Sequence, residues 1–479
     1  MEKAIDAGKI VERRYYKIDV RLASPLNVSS GASEETDRDA MKNGAGEYII
    51  PGTSLAGAFR NYLEDTCNET DNETDNETDS VFGFAVGDKG RMSSVFISDL
   101  VFDQPKVSVR DMVKLDDRKR AVKGAKFDMQ ILETGATGSF TLEVLDRGEN
   151  VPCLAEETIK NLLWALKTND IRLGSKKQRG FGLLEPTKVS YSVFDSDTLE
   201  EWLSFLETKE YAKIITDKDD SEWKKWIKAP EDGPKYLTIN VPLKQEGGIS
   251  IRTYSTEPGQ ADYSHITCNG EPVIPGSSWA GALGAEARRI LIEACTLLKK
   301  DDPDQIADAI KKYWFGNVDK KSKGNQNKNS WQSRGVFTES VLKNARPLTT
   351  SRTAIDRFSA APKDGALFTE ITRVNGTTVL KILVEKDKEK NYEAFLGLLK
   401  LVLESLTEGY LAIGGETAIG RGIFSIDGDG QQSFEGWCSE EGETPKDETY
   451  YSKKLYQYLK EFQLPQVKGG EENDEPKEE

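Results

Sequence analysis

Histidine is almost absent from this sequence: His265 is the only one in 479 residues. That excludes a two-histidine acid–base pair and confines any Ser-His-Asp arrangement to the surroundings of His265. Cysteine is sparse too. Cys67, Cys153, Cys268, Cys295 and Cys438 are scattered, odd in number and form no C-x-x-C pair, which argues against a zinc site and a disulfide framework. No apolar run reaches the ~18 residues that a membrane-spanning helix needs. Met1 to Lys17 is charged throughout and lacks the apolar core of a signal peptide. The expectation is a reduced, cytoplasmic protein without membrane contact. Basic charge is also in deficit, with a net charge of −16. The deficit is concentrated, however. Glu64 to Ser80 carries eight acidic residues and no basic one, and Val467 to Glu479 carries six acidic residues against two lysines. The rest of the chain is close to neutral and has basic clusters, so nucleic-acid binding stays open.

What the chain does possess is a repeat. Asp37 opens a polar loop that leads through Tyr48-Ile49-Ile50 into Pro51-Gly52-Thr53-Ser54-Leu55-Ala56-Gly57-Ala58. Asp262 opens another, leading through Val273-Ile274 into Pro275-Gly276-Ser277-Ser278-Trp279-Ala280-Gly281-Ala282. Phe82-Gly83 is matched by Phe315-Gly316, Val95-Phe96 by Val336-Phe337, Asp117-Arg118 by Asp356-Arg357, and Gly174 by Gly414. The order is preserved, so the chain reads as a duplicated domain. Repeat one covers 13–186, with an acidic disordered insertion at about 64–80. A Trp-rich helical connector follows at 187–235. Repeat two covers 236–434, and 435–479 holds a C-terminal helix and an acidic tail. Alternating apolar residues over 15–22 and 237–242 predict a first strand in each repeat. Ser54 is the expected N-cap of a helix running to about Leu63, and 158–167 and 392–406 read as amphipathic helices. Short strands alternating with helices at this spacing predict a compact α+β sandwich.

Three motifs carry possible chemistry. Leu173 to Gly182 is a glycine-rich turn with three cations, Lys176, Lys177 and Arg179, suited to a phosphate backbone. It lacks the Gly-Lys-Ser/Thr ending of a nucleotide P-loop, and its counterpart at 414–422 keeps only Arg421. Taken alone, such a turn is most often just a turn. The segment 109–127 gathers Lys114, Arg118, Lys119, Arg120, Lys123 and Lys126 without an apolar period. It fits a basic hairpin laid on phosphates or a solvated charged loop, and Arg357 marks its weaker counterpart. Asp37 and Asp262 are the candidate catalytic and metal-ligating residues: a carboxylate beside an RNA backbone can ligate a divalent cation or help activate a 2′-hydroxyl. A lone loop aspartate is more often a turn or cap residue; recurrence in both repeats raises the functional reading. His265 either cooperates with Asp262 or is an ordinary loop residue.

Ile-Pro-Gly-Thr/Ser-Ser followed by Leu/Trp-Ala-Gly-Ala, a central Asp-Arg and a Gly-x-Gly turn together resemble the RAMP superfamily. More closely, they resemble the backbone subunit of type III CRISPR effector complexes, here as a tandem fusion like that of III-D systems. The resemblance implies two RRM-like (ferredoxin-like) domains with inserted thumb hairpins at about 108–127 and 346–368. It implies binding of CRISPR RNA and target RNA. It also implies assembly with other effector subunits: backbone, small, and large polymerase/cyclase-like ones. The family aspartate matches Asp37 and Asp262 and implies target-RNA cleavage with transient Mg²⁺ or another divalent cation. Arg60, Arg118, Lys119, Arg120, Lys176, Lys177, Arg179, Arg357 and Arg421 are the expected RNA contacts. A lysine common at the helix start of the family is replaced by Ala56 and Ala280, and Arg60 by Gly284 in repeat two. A non-catalytic RNA-binding scaffold and, less well supported, a guide-processing nuclease using His265 are the alternatives.

Overall fold

The computed structural model describes residues 10–31, 35–67, 77–86, 89–116, 120–147, 156–218, 220–227, 233–254, 260–317, 331–387, 391–428, 433–439 and 447–464. In the Glu12–Leu22 strand, Tyr16, Ile18, Val20 and Leu22 are buried in alternation with more exposed neighbours. This two-residue period turns one apolar face inward. The strand pairs antiparallel with Leu184–Asp195 on one side and Thr137–Asp146 on the other. Thr137–Asp146 in turn pairs with the short strands Val95–Ile97 and Leu100–Phe102. Taken in chain order, the four sheet positions lie fourth-first-third-second. The helices Gly52–Cys67 and Glu156–Thr168 connect first to second and third to fourth. Leu55, Phe59 and Leu63 from one, and Ile159, Leu163 and Leu166 from the other, share a core with the strand residues. That is the β-α-β-β-α-β ferredoxin-like, RRM-like arrangement.

Repeat two has the same order, with Ile423–Ile426, Tyr236–Glu246, Thr377–Glu385 and Gly335–Phe337 side by side. Its helices are Gly276–Leu297 and Tyr392–Thr407. Between second and third strands each repeat inserts a long antiparallel hairpin. Val107–Leu115 pairs with Ala121–Leu132, and Arg346–Ile355 with Pro362–Val374. The expected α+β fold with two RRM-like domains and inserted hairpins is therefore the one observed.

Some local expectations fail for identifiable reasons. Helix one runs on to Cys67, and Glu77–Phe82 is helical as well, so both flanks of the acidic stretch are ordered; 68–76 lies outside the described residues. Arg60 holds the flanks together: its Nε donates to Glu64 Oε1 (2.8 Å), and it also pairs with Asp79 and the Gly83 carbonyl. Ser54 is inside the helix, with its N–H already bonded to Pro51 O (2.9 Å), so it is not the cap. The connector is only partly helical. Between Leu199–Thr208 and Asp220–Trp226, the strand Lys213–Thr216 extends the first sheet by pairing with Leu184–Asp195. Tyr392–Thr407 is apolar on more than one face because the C-terminal helix Tyr450–Glu461 covers it through Tyr451, Leu455 and Leu459. The acidic tail lies outside the described residues. Among these, no helix is long and apolar enough to cross a membrane.

The repeats pack directly on one another. The Lys177–Arg179 turn of repeat one sits against the start of the Gly276–Leu297 helix and against Phe337 and Thr338 of repeat two. Asn269 N–H donates to Glu133 Oε2 across the same joint (2.9 Å), and Arg110 of the first hairpin pairs with Glu339, both fully buried.

Candidate nucleic-acid interface

Three segments remote in sequence meet in repeat one, and two buried amides hold them. Asn27 Nδ2 donates to Gln130 O on the hairpin (2.8 Å), and its Oδ1 accepts the Ser175 hydroxyl of the glycine turn (2.9 Å). Gln130 Oε1 accepts the Ala40 N–H (3.1 Å) and Gln130 N–H donates to Arg38 O (3.1 Å), which fastens the aspartate loop. Buried polar groups left unpaired are costly, so this network fixes the relative placement of loop, hairpin and turn. The turn itself needs its glycines. Gly182 has φ +79°, and a Cβ there would meet the Leu173 backbone inside 3.0 Å.

At the junction lies Asp37, exposed. Its Oδ2 accepts the Asp128 N–H (3.0 Å), while Asp128 Oδ1 accepts the Asp37 N–H (2.7 Å). Beside these carboxylates, Phe127 carries the Arg38 guanidinium at 5.5 Å and Lys176 Nζ at 4.8 Å from its ring centre. Burial, together with the nearby Arg38 and Arg179 charges, pulls the Lys176 pKa down from its ordinary value. Burial does the same to Arg179. Among the described residues no carboxylate forms an ion pair with Arg38, Lys176 or Arg179. The site is thus a crowded set of cations beside two carboxylates, an arrangement that an incoming phosphate relieves.

The other expected contacts are placed differently. Lys177 is exposed. Arg120 is exposed at the hairpin tip and paired with Asp116 (3.0 Å), and Arg118 and Lys119 lie outside the described residues. Arg60 bonds to Glu64, Asp79 and the Gly83 carbonyl, which ties the acidic flanks to the first helix and not to the loop, hairpin or turn. Arg38, Phe127, Asp128 and Asn27 were not among the expected site residues. Only the Asp37-Arg38 dipeptide offered a signal, a cation adjoining the carboxylate.

Repeat two attaches its aspartate in the same way: Asp262 is exposed and its Oδ2 accepts the Thr369 N–H of the second hairpin (2.7 Å). The charge at one position of its turn is reversed. Lys176 (φ 58°) and Glu416 (φ 56°) occupy the same left-handed position of the two turns. Arg421, an expected RNA contact, is buried, with Nη1 2.6 Å from both Glu370 Oε2 and Glu416 Oε2. Arg252 (2.8 Å) and Arg352 (3.1 Å) pair with Glu416 as well. Arg357 is exposed at the tip of the second hairpin.

His265 is a buried structural residue. Its Nδ1 accepts the Ile251 N–H (3.2 Å), and Nε2 faces Val273 O at 2.9 Å, so the neutral ring protonated on Nε2 fits both. Burial is the main reason its pKa falls to about 4 from the usual 6.5; the Arg373 charge acts the same way and the Val273 bond opposes it. Both nitrogens are occupied, so assistance to Asp262 and guide processing by this histidine have no geometric basis. Its stabilisation is complete above the unfolded pKa of about 6.5 and is lost as pH falls toward 4. The stability advantage of wild type over His265→Gln, measured by urea unfolding, should shrink by about 2 kcal/mol between pH 8 and pH 5. A constant advantage would contradict a neutral buried ring.

A duplicated RRM-like domain, each copy bringing an aspartate loop, a hairpin and a glycine turn together, is the class of protein that this fold and site define. The family model of the RAMP superfamily matches residues 19–185 and 257–425; the chain belongs to the RAMP superfamily. Membership points to a CRISPR-associated RNA-binding subunit. A search of curated proteins gave no match.

Proposed function

We propose that this chain is a CRISPR RNA-binding backbone subunit of a type III, III-D-like effector complex. In this reading it cleaves guide-complementary target RNA at spaced sites with Asp37 and Asp262. It works in the cytoplasm with CRISPR RNA, target RNA and the other backbone, small and large effector subunits. The single observation that carries the proposal is the exposed Asp37 carboxylate, bonded to Asp128 next to the Phe127 ring that carries Arg38 and Lys176, cations without a carboxylate partner among the described residues. Those cations hold an RNA phosphate, and the Asn27–Gln130 network keeps them in register with Asp37. In this reading Asp37, anchored by the Asp128 N–H, takes the proton of a 2′-hydroxyl. The 2′-oxygen then bonds to phosphorus as the P–O5′ bond breaks, and the departing oxygen takes a proton from water.

A divalent cation fits repeat one. Asp37 and Asp128 each engage one carboxylate oxygen in the reciprocal bonds, and Mg²⁺ is commonly held by one or two carboxylates plus substrate phosphate oxygens. Among the described residues no group of three His, Cys, Asp or Glu side chains is placed to hold a metal by itself, so RNA would complete the ligand set. The ion, when bound, stabilises charge developing on the phosphate. The scaffold reading has its own support: the anchoring bonds to Asp128 and Thr369 are those of carboxylates that clamp a hairpin to a loop.

Mapping target-RNA cuts by the assembled complex separates the two. Asp37→Ala and Asp262→Ala are each expected to slow one cut by roughly 100-fold or more while leaving guide binding intact. If the double variant retains every cut at the wild-type rate, the scaffold reading stands.

A further inference from the structure

The two repeats carry the same backbone attachment around different chemistry. Gly182 and Gly422 hold equivalent places in the two turns, each packed on the backbone at the start of its own turn, Leu173 and Ile413. Ser175 N–H bonds to Asn27 O, and Gly415 N–H to Ser250 O, both at 2.8 Å. These fix the correspondence. Lys176 becomes Glu416, the buried Phe181 becomes Arg421, and the buried Met129 becomes Glu370. In repeat two the Ser250 hydroxyl donates to Glu370 Oε1 (2.5 Å), and Arg252, Arg352 and Arg421 are all engaged by Glu370 or Glu416. A phosphate arriving there meets carboxylates already matched to the arginines.

What repeat two offers instead is aromatic. Tyr263 follows Asp262 as Arg38 follows Asp37. Its ring lies 5.2 Å from Tyr254 and 6.4 Å from Phe368, both edge-on. Tyr254 is 60% exposed. Arg252 sits 4.7 Å from the Tyr263 ring, and Lys126, from the hairpin of repeat one, places Nζ 5.7 Å from the Tyr254 ring. That lysine, which also pairs with Asp111 (3.3 Å), sets the hairpin of repeat one against the aromatic surface, one residue from Phe127. Exposed rings flanked by cations are what unpaired bases stack on in single-strand recognition.

We propose that the repeats grip one RNA strand by different means: repeat one through phosphate, and repeat two through a base stacked on Tyr254 and its aromatic neighbours. The Glu370–Glu416–arginine network withholds the second turn, though not the exposed Asp262 carboxylate, from phosphate. This deepens the RNA-binding reading above and rests on it.

The test is fluorescence anisotropy of the full chain with a labelled single-stranded oligoadenylate, titrated over a range of salt. Tyr254→Ala is expected to weaken binding roughly 5- to 100-fold, with an unchanged slope of log affinity against log salt. Tyr254→Phe, which keeps the ring, should bind as wild type. Lys176→Ala should flatten the slope by about 0.7, and Glu416→Lys should steepen it. Against an abasic version of the oligomer, wild type and Tyr254→Ala should bind alike. RNA binding by wild type with no loss in Tyr254→Ala overturns the inference and leaves the RNA reading intact. So does a Tyr254→Ala slope flattened like that of Lys176→Ala, or a tyrosine surface that captures a protein partner without affecting RNA. Failure of wild type to bind the RNA at all removes the RNA reading itself.

Discussion

Gly276→Ala should cost about 3 kcal/mol or more of stability, and Gly281→Ala, five residues further along the same helix, should not. At Gly276 an added Cβ would lie well inside 3.0 Å of two backbone oxygens, Phe337 O from its own repeat and Arg179 O from the glycine turn of repeat one. Neither is a flexible side-chain end that can swing aside. The helix start and the turn must separate, loosening the joint between the repeats. Gly281 is exposed with nothing within 4 Å of its Cβ position; alanine there should stabilise by up to about 1 kcal/mol through helix propensity alone. Gly52, the counterpart in repeat one, has Ile97 and Ser98 of its own domain as the nearest atoms to an added Cβ. Gly52→Ala should therefore strain one domain, and Gly276→Ala also the contact between two. Urea unfolding with limited proteolysis between the repeats distinguishes these outcomes. A Gly276→Ala protein within about 0.5 kcal/mol of wild type would mean that the joint is absent in solution.

This glycine shows how far the sequence could be read. Ile-Pro-Gly is visible as punctuation before a helix, and its recurrence reveals the duplication. Why glycine is required depends on the Phe337 carbonyl, some sixty residues later, and on the Arg179 carbonyl, nearly a hundred residues earlier, whose approach no local pattern reports. The same divide runs through the site. The Tyr16, Ile18, Val20 and Leu22 alternation announces a strand because period two is a local property. The convergence of loop, hairpin and turn was expected only through family resemblance, since Asn27 and Gln130, which enforce it, have no signature of their own. Arg421 reads as the cation of the second glycine turn, yet Glu370 on a different strand takes it out of contact with solvent. Long-range ion pairing decides whether a cation is available, and spacing along the chain does not encode it. The Pro303–Phe315 helix is a different case. Its signals, Pro at the first turn and apolar Ile306, Ile310 and Trp314, are local and legible, but among the described residues the corresponding part of repeat one shows the short Glu77–Phe82 helix, so comparison of the repeats hides it.

Arg110→Met should destabilise the protein by about 3–5 kcal/mol, the cost of leaving one buried charge without its partner. Arg110 and Glu339 are 3% and 4% exposed, with Arg110 Nη2 3.0 Å from Glu339 Oε1 and Nη1 bonded to the other oxygen. Burial opposes the guanidinium charge, but Glu339 outweighs it and holds the Arg110 pKa above its ordinary value. The guanidinium also lies 5.7 Å from the Phe181 ring, sandwiching the glycine turn between hairpin and repeat two. Replacing both partners, Arg110→Met with Glu339→Met, should recover much of the loss, because two apolar side chains remove the desolvation cost together with the attraction. A double-mutant cycle by denaturant unfolding measures the coupling; a single-variant cost below about 1 kcal/mol would show that the pair is solvated. The consequence reaches the site. Arg110 lies opposite Met129 in the hairpin ladder, and Asp128 is the next residue along. Asp128 anchors Asp37, so the buried pair ties the carboxylates of repeat one to the frame of repeat two. Arg110→Met should therefore blur the spacing between target-RNA cuts, whereas Arg120→Ala, at the exposed hairpin tip, should weaken RNA binding and leave the spacing unchanged.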